Sequence, residues 1–318
     1  MLEAVYDEVE GRLTQSLHNA VLINLGKEAQ PQQVRRPWDA EVKIGRQMAE
    51  ALPENSTIAT VFDRSDIARK LLILGAPGSG KTTTMLDLAQ SLVQSALADK
   101  HAAIPVLLNL SSWRKTDQSI AAWFQEELRL KYGVSAKLGS QWIQEKKLLP
   151  LLDGLDEVAA ERQETCVNAI NQFLSGEQRP VAVVVCSREE EYNLYRSNLA
   201  LNGAIRLKPL TPEQMQDFLH RLGQRPLADT LHQDTNLQEL LQAPLLLSMA
   251  VLALQTSSIE DWQQLSTAQN RLDWLLEHYV LSRLQMEYWG NTYPPQKVPT
   301  PRQTRHWLRW LAQLMAQQ

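Results

Sequence analysis

This chain has few of the residues that would mark it as secreted, metal-bound or membrane-embedded. Only Cys166 and Cys186 are cysteines among 318 residues. Neither stands at metal-ligand spacing, and two buried thiols in a reducing, cytoplasmic compartment are expected rather than a disulfide. The six histidines form no H-x-x-x-H pair, which removes the simplest helical zinc site. The longest apolar run, residues 244–254, is too short to span a bilayer. The acidic, mixed start from Met1 to Glu10 is no signal peptide. Neither sign of charge dominates. With 32 basic and 36 acidic residues, a net charge of −4 argues against a broad footprint for nucleic acid as a direct ligand. No internal repeat and no low-complexity tract interrupts the chain. What remains is an ordinary globular composition, 44% hydrophobic and 21% charged, with length for one large domain or two smaller ones.

Against that plain background, Gly75-Ala76-Pro77-Gly78-Ser79-Gly80-Lys81-Thr82 fits the P-loop pattern G-x-x-x-x-G-K-[ST] without a mismatch. An apolar run of strand type, 69–74, precedes it. Helical spacing at Met85, Leu88, Ala89 and Leu92 follows, which is the strand–loop–helix context the motif requires. Glycines let the backbone wrap a phosphate with several N–H groups pointing inward, and the helix N-terminus adds positive potential. Lys81 supplies a cation for the β and γ oxygens and Thr82 a hydroxyl for Mg²⁺, with Thr83 beside it.

Alternating apolar strands and helices surround this loop. Strands are predicted at 69–74, 104–110, 148–152, 181–186 and 204–207, with helices at 117–131, 139–147 and 161–174 between them. Near-continuous apolar strands separated by helices indicate an α/β fold, a five-stranded parallel sheet covered on both faces. Residues 1–28 read as a helix with Val5, Val9, Leu13, Leu17 and Val21 on one stripe, broken by Pro31 and Pro37 ahead of Trp38. After 208 the strands stop. Thr211-Pro212-Glu213-Gln214 opens a helix with a capping box, and helices are expected near 236–255 and 266–289. A linker with Pro294, Pro295, Pro299 and Pro301 leads to a last helix carrying Trp307, Leu308, Leu311, Leu314 and Met315 on one side. It reaches Gln318 with no stop signal, so a cut inside a domain is expected. Trp113, Trp123 and Trp142 are expected to pack rather than stack on bases, and Arg302, Arg305 and Arg309 to form a solvated helix face.

Two further strand ends carry chemistry. In Leu151-Leu152-Asp153-Gly154-Leu155-Asp156-Glu157 an apolar strand runs into a carboxylate at the sheet's C-terminal edge, where Asp153 can hold Mg²⁺. Asp156 and Glu157 sit just beyond, and either can orient or deprotonate an attacking water. The strand 181–186 ends in Ser187-Arg188, which offers a guanidinium to a γ-phosphate or pairs with Glu189 or Glu190.

These motifs, with Ala243-Pro244-Leu245 downstream, resemble NACHT-domain NTPases, a branch of the STAND signalling ATPases within the AAA+-like P-loop proteins. The small Gly154 and the doubled acids Asp156 and Glu157 carry the likeness most specifically. The segment from Gln15 to Trp38 is similar to what precedes this domain in large bacterial, notably cyanobacterial, proteins. The resemblance implies a helical linker segment at 1–40, a nucleotide-binding domain at 41–208, a helical domain at 209–290, and at 291–318 a linker and the first helix of a winged-helix domain. It implies ATP or ADP with Mg²⁺ as ligands and places Pro244 near the base and ribose, though a plain helix start explains Pro244 equally well. The guanine-reading Asn/Thr-Lys-x-Asp motif is missing, which favours adenine. The implied function is a slow, regulatory ATPase. Its ATP form opens and forms a homo-oligomer, and effector and sensor domains outside this segment act in signalling such as antiviral defence. A remodelling ATPase of AAA+ type is the alternative, but no aromatic-hydrophobic-Gly pore loop is present. A third reading is a nucleotide-stabilised scaffold without significant hydrolysis.

Overall fold

The computed structural model describes residues 1–16, 40–44, 50–51, 57–265, 267–285 and 299–316. Leu17, Val21, Pro31, Pro37, Trp38, Pro294, Pro295 and Gln318 lie outside the described residues. In chain order the elements are α1 (Leu2–Gln15), β1 (Ala40–Ile44), β2 (Glu50–Ala51), α2 (Ile58–Phe62), β3 (Lys70–Gly75), α3 (Lys81–Ala98), β4 (Ile104–Asn109), α4 (Ile120–Tyr132), α5 (Ala136–Gln144), β5 (Leu148–Asp153), α6 (Ala160–Ser175), β6 (Val183–Arg188), α7 (Glu189–Leu194) and β7 (Gly203–Leu207). Beyond the sheet come α8 (Pro212–Arg221), α9 (Arg225–Gln233), α10 (Thr235–Leu241), α11 (Pro244–Ala253), α12 (Ile259–Gln263), α13 (Ala268–Gln285) and α14 (Pro301–Met315). They form two compact units, Met1–Gln214 with Ala243–Leu245, and Met215–Gln242 with Leu246–Gln318.

The first unit is built on a sheet of order β2-β1-β7-β3-β6-β5-β4. The five strands from β7 to β4 are mutually parallel, as the apolar runs predicted. No apolar run announces β1 and β2, which extend the sheet to seven strands among the described residues; β1 runs antiparallel to β7 and β2 antiparallel to β1. The mixed polar run Ala40-Glu-Val-Lys-Ile44 lacks the continuous apolar signature by which the central strands are read. The strand expected from Val181 starts at Val183, and Val181 is exposed.

Period-two alternation distributes each strand between two cores. Leu72, Val106, Leu108, Leu152 and Val185 face Trp123, Phe124 and Leu128 of α4 and Val167 and Ile170 of α6. Leu71, Ile73, Leu107, Leu151 and Val184 face Met85 and Leu88 of α3, Phe62 of α2, and Val5, Val9 and Leu13 of α1. The stripe read on the first helix is therefore part of the sheet's cover. Burying three such side chains contributes on the order of 1.5–3 kcal/mol each. Trp113 and Trp123 are buried packing residues, and Trp142 packs at the core's margin.

The second unit is helical. Asp234 caps α10, its Oδ1 accepting the Leu237 N–H at 3.0 Å, while its Oδ2 pairs with Arg271 of α13 at 2.6 Å. Trp274 stacks between Trp262 and His278. The single helix expected over 236–255 is two, because Pro244 has no N–H to continue α10 and instead opens α11. On α14, Trp307, Leu308, Trp310, Leu311, Leu314 and Met315 are all exposed, and Arg305 pairs with Glu277 at 2.7 Å.

Candidate nucleotide-binding site

Parallel strands bring their carboxyl ends to one edge, where ligands of open α/β sheets bind. Register sets which residues meet there. Gly75 of β3 lies opposite Arg188 of β6, and Asn109 of β4 opposite Asp153 of β5. Because β6 runs between β3 and β5, Arg188 stands between the P-loop and the carboxylates.

The loop from Gly75 to Lys81 turns on two left-handed residues, Gly78 at φ +72° and Gly80 at φ +91°, a region costly to any residue with a Cβ. Gly75 is fixed by space instead. A Cβ there would lie 2.5 Å from Ser79 Oγ, and one on Gly78 would lie 3.0 Å from the Leu245 Cβ. Leu245 also donates its N–H to the Gly78 carbonyl at 3.2 Å. Ala76 and Pro77 are exposed at the crest of the loop, while Ser79 is buried and its Oγ has no hydrogen-bond partner among the described residues. A buried hydroxyl without a partner inside a glycine cradle fits a polar ligand.

Lys81 opens α3 and folds its ammonium back onto the loop, donating to the carbonyls of Gly75 at 2.9 Å and Ala76 at 3.0 Å. Burial pushes its pKa below the usual lysine value, and the Asp156 carboxylate opposes that shift. Thr82, next on α3, donates its hydroxyl to Asp153 Oδ2 at 2.9 Å; Thr83 follows in the same first turn. Burial pushes the Asp153 carboxyl above the ordinary aspartate range, and the Thr82 hydrogen bond works against it. This hydroxyl–carboxylate pair is a set of hard oxygen donors, which fits Mg²⁺. Among the described residues no group of three His, Cys, Asp or Glu could form a denser metal site.

Past Asp153 the chain turns at Gly154, φ +73°, where an added Cβ would come within 2.7 Å of Glu157 Oε2. The short turn Leu155–Glu157 that follows sends the two acids in different directions. Asp156 is 6% exposed and pairs with Arg188 of β6: Oδ1 accepts the Arg188 backbone N–H at 2.9 Å and Oδ2 meets Nε at 3.0 Å. Glu157 turns toward β4, where Asn109 Nδ2 donates to its Oε2 at 2.9 Å. Arg188 therefore pairs with Asp156, and at 3.4 Å with Glu191, rather than with Glu189 or Glu190; Glu189 holds Arg206 at 2.8 Å.

Pro244 is buried at the start of α11, next to the Leu245 that covers Gly78. Two participants escaped the sequence reading. Asn109 is a single polar residue ending an otherwise apolar strand, the only local signal it gives. Leu245 looks like any leucine of an apolar run. Cys186 and Cys166 are buried free thiols, as expected, and burial pushes the Cys166 pKa up to about 12. Among the described residues no single helix is long and apolar enough to cross a membrane.

Compared with known families, residues 69–226 match the model of the NACHT domain. No curated protein sequence matches the chain. Among solved structures it is similar to Cdc6p from Pyrobaculum aerophilum, at 18% identity and a TM-score of 0.33, over 67% of this chain and 54% of that one. It is also similar to the Aeropyrum pernix ORC1 protein in complex with DNA (14%, 0.33, 70% and 74%) and to C. elegans PCH-2 (17%, 0.36, 72% and 66%). The chain spans about half the length of the Cdc6p chain. Likeness at this level says nothing about ligand or partner.

Proposed function

Residues 69–226 being a NACHT domain, a P-loop NTPase domain, we propose that this chain is a nucleotide-dependent switch that binds ATP and ADP with Mg²⁺ and hydrolyses ATP slowly. The observation that carries this reading is the convergence of Lys81, Thr82, Asp153, Glu157 and Arg188 on one sheet edge, around a glycine loop. The N–H groups of Gly78 to Thr82 and the ammonium of Lys81 bind the β and γ oxygens, with Lys81 exchanging carbonyl partners for phosphate. Mg²⁺ held by Thr82 and Asp153 would neutralise charge on those oxygens.

Of the two acids beyond Asp153, Glu157 is the one assigned to water. Asp156 has both oxygens engaged by Arg188 and is almost closed to solvent, so its role is to aim the guanidinium. Glu157 spends one oxygen on Asn109 and keeps acceptor capacity for a proton. In hydrolysis, water attacks the γ-phosphorus, its proton passes to Glu157, and the bond to the ADP oxygen breaks. Arg188 supplies the contact that differs between ATP and ADP, which a switch requires.

In the wider reading, the nucleotide-binding domain (41–208) and helical domain (209–290) belong to a larger cytoplasmic signalling protein. Its ATP form opens and self-associates, with bacterial antiviral defence as one setting, and Pro244 lies near the base. The test is to purify the chain, denature it and chromatograph what is released. Stoichiometric ADP or ATP supports the switch; a chain that arrives empty and fails to bind added ATP–Mg²⁺ counts against it.

A further inference from the structure

The turn that carries Glu157 is held from behind by a residue that no motif announces. Gln163 lies in the first turn of α6 and folds its amide back over the start of that helix. A side-chain amide nitrogen has two N–H bonds, and Gln163 uses both. One goes to the Asp156 carbonyl at 3.0 Å and one to the Val158 carbonyl at 2.9 Å, the carbonyls of the residues on either side of Glu157. The N–H groups between them are taken too. Glu157 donates to the Gly154 carbonyl at 3.0 Å, and Val158 to the Leu155 carbonyl at 3.4 Å. Three successive peptide units are thus tied, and because each is planar, the direction in which the Glu157 side chain leaves the backbone is fixed.

These bonds do not cap the helix. Ala159, ahead of α6, has no side-chain acceptor, and the first N–H groups of a helix need acceptors, whereas Gln163 here donates. They serve the turn. The support is itself firm, since α6 buries Cys166, Val167 and Ile170 in the core. Glu164, beside Gln163, accepts the N–H groups of Arg196 and Ser197 at 2.9 and 3.1 Å. Glu157 is therefore held twice, at its backbone from α6 and at one carboxylate oxygen by Asn109 of β4. A group that must meet a reacting atom needs such holding, to within about half an ångström.

We propose that Gln163 is a positioning residue for hydrolysis, which aims the Glu157 carboxylate at the attacking water. This rests on the reading above in which Glu157 takes the proton of that water.

The test is single-turnover release of phosphate from ATP–Mg²⁺, with calorimetric titration and melting. It compares the unaltered chain with Gln163→Ala, Gln163→Glu, Glu157→Gln, and Glu157→Gln combined with Gln163→Ala. Gln163→Glu keeps the length of the side chain but has no N–H to give. Both Gln163 variants are expected to slow phosphate release about tenfold or more, as a small misplacement of a reacting group does, with ATP affinity kept within about twofold. Where Glu157→Gln is already present, adding Gln163→Ala should change the rate by less than about twofold, since the group it aims has gone. Melting separates this from a purely structural role. The two carbonyls lose their donor whether or not the acid is there, so the melting temperature should fall alike in both backgrounds while the rate does not. Equal fold-losses of rate in both backgrounds, or Gln163 variants that release phosphate at the unaltered rate, would overturn the inference and leave the site reading standing. Phosphate release as fast from Glu157→Gln as from the unaltered chain would remove Glu157 from the chemistry, and this inference with it.

Discussion

Asn109 and Glu157 are joined by a 2.9 Å hydrogen bond that links the end of β4 to the turn after β5. The bond fixes one oxygen of the acid that lies beyond the Asp153 strand end, and it leaves the other to accept. Glu157→Gln keeps the amide partner but removes the proposed base, so nucleotide affinity should be retained while phosphate release falls about a hundredfold or more. Asn109→Ala should change turnover with little effect on affinity. Equal phosphate release by wild type and Glu157→Gln would remove Glu157 from the chemistry.

Lys81→Ala takes away the ammonium now resting on the Gly75 and Ala76 carbonyls. Its predicted effect is loss of at least about a hundredfold in affinity for both ATP and ADP, read by titration, since charge-assisted phosphate contacts are among the strongest available. The nucleotide-free fold should survive, because the side chain's burial already disfavours its charge.

Gly78→Ala tests the cradle. The residue sits at φ +72° and its Cβ would meet Leu245 at 3.0 Å. The left-handed backbone alone costs a residue with a Cβ about 1–2 kcal/mol. Loss of nucleotide binding with a lower melting temperature is expected, and Gly80→Ala, φ +91°, should behave alike.

Arg188→Ala strips the side-chain partner from the nearly closed carboxylate of Asp156. A cost of about 1–3 kcal/mol in urea unfolding follows from leaving such an oxygen unpaired. Arg188→Ala combined with Asp156→Asn should recover part of it; additive losses would show that the two residues do not act as a pair.

Asp153 gives the pH prediction. Its pKa in the folded chain is raised by burial above the unfolded value near 3.8. A carboxyl raised on folding favours the native state below its unfolded pKa, and that contribution is lost as pH rises through the folded pKa. At neutral pH the metal-free chain therefore carries a buried, unfavourable charge. Asp153→Asn should melt higher than wild type at pH 7 in chelator, with the gap closing as pH approaches 4. The same variant should lose Mg²⁺-dependent nucleotide binding, a trade of stability against function. A lower melting temperature for Asp153→Asn at pH 7 would contradict this.

Local chemistry explains what could be read in advance. The P-loop, the strand ends at Asp153 and Arg188, and the alternation of apolar strands with helices are contiguous patterns. A phosphate cradle needs glycines at fixed offsets and a buried parallel strand needs an unbroken apolar run, so linear sequence determined the fold class and the position of the edge. Tertiary structure decided the rest. Whether Asp156 or Glu157 faces water depends on Arg188 and Asn109, which arrive on different strands, and strand order is not written in either neighbour's sequence. The pairing of β1 with β7, and of β2 with β1, joins segments that no local pattern links. Leu245 closes over Gly78 through packing between segments far apart in the chain. A residue's type fixes what it can donate or accept; only the assembled sheet fixes what it meets.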